Sequence, residues 1–231
     1  MSSRNKLTKF AEVLSFTNVY ENFNHKQPRL TAGEGVYADL KGKWASEHFK
    51  NDHPIVLELA CGRGEYSLAL ARDNKDKNFI GVDIKGARIW KGASIALNEK
   101  LDHVAFLRTR IEQVQLFFGP QEVDEIWITF PDPFLRKSKS NRRLTSIPFL
   151  DRYHPIFKDQ GIIHLKTDDP TLYEFSLETL ESHPSYNITY YNDDIYSSPL
   201  HIPELSYKTY YEHMHLEERK TIKYIQATHI A

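Results

Sequence analysis

The stretch Ile55-Val-Leu-Glu58-Leu-Ala-Cys-Gly62-Arg-Gly64-Glu65 decides the fold. A short apolar run enters a turn with two glycines. Residues 65–72 follow, with Leu68, Ala69 and Ala71 at helical spacing. This reads as buried strand, tight turn, helix. The same rhythm continues downstream. Residues 78–83 read as a second strand. Residues 87–100 read as a helix with Ile89, Trp90, Ala93 and Leu97 on one face. Residues 103–108 give a third strand and 111–118 a short helix. Residues 124–130 give a fourth strand, stopped by Pro131 and Pro133. Residues 147–157 predict a helix interrupted near Pro155, and 161–166 a fifth strand. Residues 171–182 predict a helix with Leu172, Phe175 and Leu180 inward. Residues 186–191 and 221–227 alternate like two late strands. Strands spaced by helices imply an α/β, Rossmann-like class: a mostly parallel, seven-stranded sheet with helices on both faces. Residues 1–50 fall outside this rhythm and read as an N-terminal extension to a domain over 51–231. Residues 192–220 form a polar, Tyr- and His-rich insertion before the last strand.

Composition bounds the possibilities. With 231 residues, 40% hydrophobic and 26% charged, the chain can bury one α/β core and keep a polar surface. The single cysteine, Cys61, excludes an internal disulfide. Residues 1–10 are polar and basic without a signal-peptide core, and no apolar run is long enough to cross a bilayer. The expected location is the cytoplasm, with no membrane partner. The 30 basic and 31 acidic side chains nearly cancel, so phosphate attraction must come from a local patch. The 11 histidines are scattered and form no metal-ligand pattern, so no metal is expected.

In an open parallel sheet, ligands bind beyond the carboxyl ends of the strands. Gly62 and Gly64 permit a tight turn and close backbone approach at the end of the first strand. The second strand ends in Asp83, placed to accept from two ribose hydroxyls. The third glycine of a dinucleotide fingerprint is absent; Ser67 stands there. Glu65 opens the helix where a pyrophosphate would need positive potential. Glu58 can face a cationic head group. These residues favour an adenosine ligand with a cationic head over a nicotinamide dinucleotide. A plain strand–turn–helix that uses its glycines for geometry alone fits the spacing too.

The fourth strand ends in Phe130-Pro-Asp132-Pro-Phe134, which holds Asp132 on a stiff extended backbone. Asp132 is either a functional carboxylate at a strand tip or a polar turn residue. Arg136, Lys137, Lys139, Arg142 and Arg143 then crowd residues 136–143 with no acid among them. Such a run is usually a solvated face; directly after a strand tip, it also suits a phosphate-bearing substrate.

Taken together, these segments resemble the single-subunit bacterial tRNA (guanine-N7)-methyltransferase family, from about Asn51 to the C-terminus. Four blocks carry the resemblance: the Leu57–Gly64 loop, Phe130-Pro-Asp132-Pro-Phe134 with Arg142-Arg143-Leu144, His164-Leu-Lys166-Thr167-Asp168, and Thr209-Tyr210-Tyr211-Glu212. The resemblance implies a class I S-adenosylmethionine-dependent enzyme that makes 7-methylguanosine at position 46 of tRNA. It implies cofactor contacts from Glu58, Gly62, Gly64, Asp83, the position of Arg110, and Asp132. Asp132 is the implied catalytic residue, between methyl donor and base. Arg136, Lys137, Lys139, Arg142 and Arg143 are implied to contact RNA; Asp168, Thr209, Tyr210, Tyr211 and Glu212 to contact the target nucleotide. The chain departs from the family at Ala60, a loop glycine elsewhere, at Phe134, usually tryptophan, at Thr129, often asparagine, and at Arg110, usually an acid near the adenine amine. A methyltransferase with another substrate, or a non-catalytic RNA-binding module with a degenerate pocket, shares part of this pattern. A monomer or homodimer is expected.

Overall fold

The computed structural model describes residues 8–9, 11–22, 24 and 26–230, the side chain of Glu34 excepted. Most of the basic stretch 1–10 therefore lies outside the described residues. The chain packs as two compact units, one up to Gly119 and one from Pro120 onward.

In the first unit, β4 (Ile55–Leu59), α1 (Glu65–Asp73), β5 (Asn78–Asp83), α2 (Gly86–Asn98) and β6 (Val104–Arg108) form the expected alternation. The strands β4, β5 and β6 pair in parallel. Leu57, Leu59, Val82 and Phe106 are fully buried, as continuous apolar strands covered by helices must be. The helix expected over 111–118 is a 3₁₀ turn at Ile111–Leu116.

Residues 19–38, expected to stand outside the sheet, extend it. β1 (Val19–Glu21) pairs parallel to β6, and β2 (Leu30–Thr31) and β3 (Tyr37–Ala38) continue antiparallel. The first unit's strand order is β3-β2-β1-β6-β5-β4. A π-helical turn, Trp44–Phe49, follows, its Trp44 indole donating to Phe117 O at 2.8 Å. This bond ties the N-terminal segment into the first compact unit. Strands of two or three residues are too short to show a period, which is why the sequence pattern misses them.

The second unit contains β7 (Val123–Thr129), α3 (Ile147–Tyr153), β8 (Phe157–Thr167), α4 (Pro170–Ser182), β9 (Tyr186–Asn192), α5 (Tyr210–Glu217) and β10 (Lys223–His229). β7 pairs parallel to β8, and β10 runs antiparallel between β8 and β9. The described residues therefore hold ten strands: the seven expected ones plus β1–β3. Pro155 ends α3 as predicted, through a short 3₁₀ turn at His154–Ile156.

Candidate functional site

In the first unit, the turn after β4 is built around Asp83. Its Oδ2 accepts from Gly62 N at 2.9 Å and its Oδ1 from Lys85 N at 2.7 Å. Two backbone amides thus fix the carboxylate at the strand tip, and each oxygen keeps acceptor capacity. Gly62 has φ +57°, and a Cβ built on it would meet nothing nearer than Ala60 O at 4.0 Å. The space before Gly62 is open, as close ligand approach requires. Gly64 differs. It has φ +67°, and a Cβ there would lie 2.5 Å from the Phe106 ring. Gly64 makes room for the core.

Ala60 holds φ +59°. It keeps the left-handed turn at a steric cost. Glu58 is buried, and its Oε2 accepts from both the amide and the hydroxyl of Ser67. Ser67, read above as a missing third glycine, is the partner that ties the strand tip to the first turn of α1. Arg110 is exposed at the start of the 3₁₀ turn.

In the second unit, Asp132 is exposed, and its Oδ1 accepts from Phe134 N at 2.9 Å. Phe130 and Phe134 flank it at φ +48° and +42°. Two bulky residues in the left-handed region within five positions mark a strained turn, of the kind that clusters at functional sites. The cations divide. Arg136, Lys137, Lys139 and Arg142 are exposed, and the Arg142 guanidinium lies over the Phe134 ring at 4.8 Å. Arg143 is buried: Nε donates to Pro133 O at 2.8 Å and Nη2 to Phe134 O at 3.3 Å, over the Phe175 ring. It clamps the turn that presents Asp132.

Asp168, at the end of β8, pairs with Lys220 at 3.2 Å and His215 at 3.3 Å. Tyr210 and Tyr211 are exposed on α5. Thr209 caps that helix, its hydroxyl accepting from Glu212 N. Glu212 is fully buried. It takes the Lys166 ammonium at 2.8 Å and the Tyr196 hydroxyl at 2.6 Å. Lys166 also donates to Leu205 O and Tyr207 O. Burial pulls the Lys166 pKa down against the opposing pull of Glu212. This cluster anchors residues 196–212 to β8. Glu212 and Thr209, expected to contact the target nucleotide, are both buried here. Nothing in the sequence pattern marked Lys166, Tyr196 or Ser67 as their partners, because those contacts join distant segments. Among the described residues, no group of three or more His, Cys, Asp or Glu could hold a metal. No described helix is long and apolar enough to cross a membrane.

Parallel strands, an open glycine turn and an acid at the second strand tip define a Rossmann-like methyltransferase. Solved structures share the fold. The 16S rRNA methyltransferase KamB superposes with TM-score 0.63 at 14% identity, over 88% of this chain and 100% of that one. The 16S rRNA (adenine(1408)-N(1))-methyltransferase from Catenulisporales acidiphilia gives TM-score 0.60 at 13% identity, over 84% and 95%. The family described as "Putative methyltransferase" matches residues 52–224. A tRNA (guanine-N(7)-)-methyltransferase of Christiangramia forsetii is 48% identical, over 98% of both chains. One from Bacteroides thetaiotaomicron is 46% identical, over 96% of this chain and 85% of that one. The chain belongs to the tRNA (guanine-N(7)-)-methyltransferase family.

Proposed function

We propose that this protein transfers the methyl group of S-adenosylmethionine to N7 of guanine 46 in tRNA, in the cytoplasm. The observation that carries this reading is the segment 130–143: an exposed carboxylate on a strained turn, followed by four exposed cations. It occurs in a chain 48% identical to a tRNA (guanine-N(7)-)-methyltransferase.

When bound, S-adenosylmethionine supplies an electrophilic methyl group on a sulfonium. The residues of the first unit suit it. Asp83, oriented by Gly62 N and Lys85 N, takes the ribose hydroxyls. The open side of Gly62 lets the backbone come close. Glu58 keeps the loop in shape through Ser67.

In the second unit, Asp132 and Asp168 accept from N1–H and the exocyclic amine of guanine. They stabilise the positive charge the purine gains. N7 carries no proton in neutral guanine, so no general base is needed before attack. Catalysis then rests on positioning and exclusion of water. Asp168 exchanges its pairing with Lys220 and His215 for the base. Tyr210 and Tyr211 offer stacking surfaces to an extruded nucleotide. Arg136, Lys137, Lys139 and Arg142 meet phosphates.

Methylation of unmodified tRNA, followed by mapping of the modified base, tests the reading. Asp132→Asn is the informative variant. Its side-chain oxygen can still accept from Phe134 N, so the turn survives while the charge is lost. A single-turnover rate lower by about tenfold or more is expected. A wild-type rate in the variant, or methylation elsewhere than guanine N7, would refute it.

A further inference from the structure

β2 runs antiparallel to β1, with Glu21 opposite Thr31. Leu30 and Arg29 therefore lie past the carboxyl end of β1. β3 pairs with β2, Leu30 opposite Ala38, so residues 39–41 run on beside Arg29 and Pro28. Between these segments and Phe117, which follows the 3₁₀ turn after β6, lies a cleft of about 400 Å³. That volume falls within the range of ligand sites. The cleft shares its sheet end with Asp83 but stands three strands away, about 14 Å by strand spacing. Glu58, Gly62 and Asp83 do not line it.

Its floor is apolar, made by the buried Leu30, Leu40 and Phe117. Its rim is cationic and aromatic. Arg29 and Lys41 are exposed there. The lining carboxylate, Asp39, is taken by Lys43 at 2.8 Å, so it leaves those two charges uncompensated. Tyr37 is 68% exposed, and the Arg29 guanidinium lies over its ring at 5.3 Å. The turn that carries Arg29 is preset: the Asn22 amide donates to Gln27 O and to Arg29 O, each at 2.9 Å. Little ordering is left to be done on binding. An open aromatic ring beside fixed cations receives a base by stacking and its phosphate by charge. A carboxylate side chain would meet the cations but leave the ring uncovered.

We propose that this cleft is a second RNA contact, apart from the target guanine. It takes one unpaired nucleotide of the tRNA, with the base stacked on Tyr37 and the phosphate met by Arg29 and Lys41. This rests on the reading that tRNA is the substrate. It gives the N-terminal segment, which the sequence rhythm set apart, a part in holding that substrate.

Binding of unmodified tRNA over a range of salt tests the proposal, alongside calorimetry with S-adenosylhomocysteine, sedimentation and thermal melting. Tyr37→Ala should weaken tRNA binding about tenfold, the effect of one lost base–aromatic stack. Tyr37→Phe keeps the ring and should stay within about twofold of wild type. Lys41→Met should lower the salt slope of binding by about 1. Affinity for S-adenosylhomocysteine should hold in all three variants; a loss in Tyr37→Ala would place the cleft in the donor site and overturn the proposal. Unchanged tRNA affinity in Tyr37→Ala overturns it, and so does an equal loss in Tyr37→Ala and Tyr37→Phe. If Tyr37→Ala abolishes self-association while tRNA binding holds, the cleft seats a second copy of the chain and the proposal falls. Where Tyr37→Ala melts below wild type, Lys41→Met decides, and an unchanged salt slope overturns it. If wild-type protein binds no tRNA, the substrate reading fails first and this inference with it.

Discussion

The acids Asp83 and Asp132 each sit at the end of a strand, and their surroundings differ in kind. Asp83 is 7% exposed and held by two backbone amides in a glycine turn. Asp132 is exposed and held by one amide, between phenylalanines in left-handed conformations. The first acid is part of the core's own geometry, as expected for a residue serving a ligand of constant shape. The second is presented outward on a strained turn and followed by cations, as expected for a macromolecular substrate.

Substitutions should divide along the same line, and the largest effect tests its limit. Lys166 and Glu212 belong to the same unit as Asp132 but are wholly buried. Lys166→Met should cost about 3–5 kcal/mol by stranding the Glu212 carboxylate. Lys166→Met with Glu212→Leu should recover most of it in denaturant melts. Recovery that fails would show the pair to be more than an isolated buried ion pair.

Next comes Gly64→Ala, which forces a methyl toward Phe106 in a left-handed backbone. A loss of about 2–4 kcal/mol is expected from overpacking and strain together. A mild effect, read by chemical denaturation, would mean that Phe106 yields more than a close-packed core allows.

The paired arginines sharpen the contrast inside one segment. Arg143→Ala should destabilise by about 1–3 kcal/mol, since it leaves the Pro133 and Phe134 carbonyls without their donor. Arg142→Ala should leave stability within about 0.5 kcal/mol and lower the salt slope of tRNA binding by about 1. Equal effects of the two on melting would erase the distinction between clamp and contact.

The smallest expected change is a gain. Ala60→Gly relieves a left-handed alanine costing about 1–2 kcal/mol but adds unfolded-state freedom of about 0.4–1 kcal/mol. A net rise of about 0.5 kcal/mol should appear as a slightly higher melting temperature. A fall would show that the alanine methyl makes contacts worth more than the strain.

The sequence by itself determined the seven long strands, the helices α1 to α4, the glycine turn and both strand-tip acids, but not the helix α5 within residues 192–220. Those features follow from local periodicity and from residues that only certain backbones accept. The family motifs went further and marked which blocks belong together. They did not tell contact from support. Only the tertiary structure decided that Glu58 serves Ser67, that Arg143 clamps a turn, and that Glu212 lies beneath the surface its motif shares with Tyr210 and Tyr211. It likewise brought β1 beside β6 and β2 beside β1, so that Arg29 and Tyr37 meet at the same sheet end as Asp83. The physical reason is the same throughout. A charged side chain is spent on whatever partner folding brings within about 3 Å, and that partner comes from a distant segment that no local pattern can name.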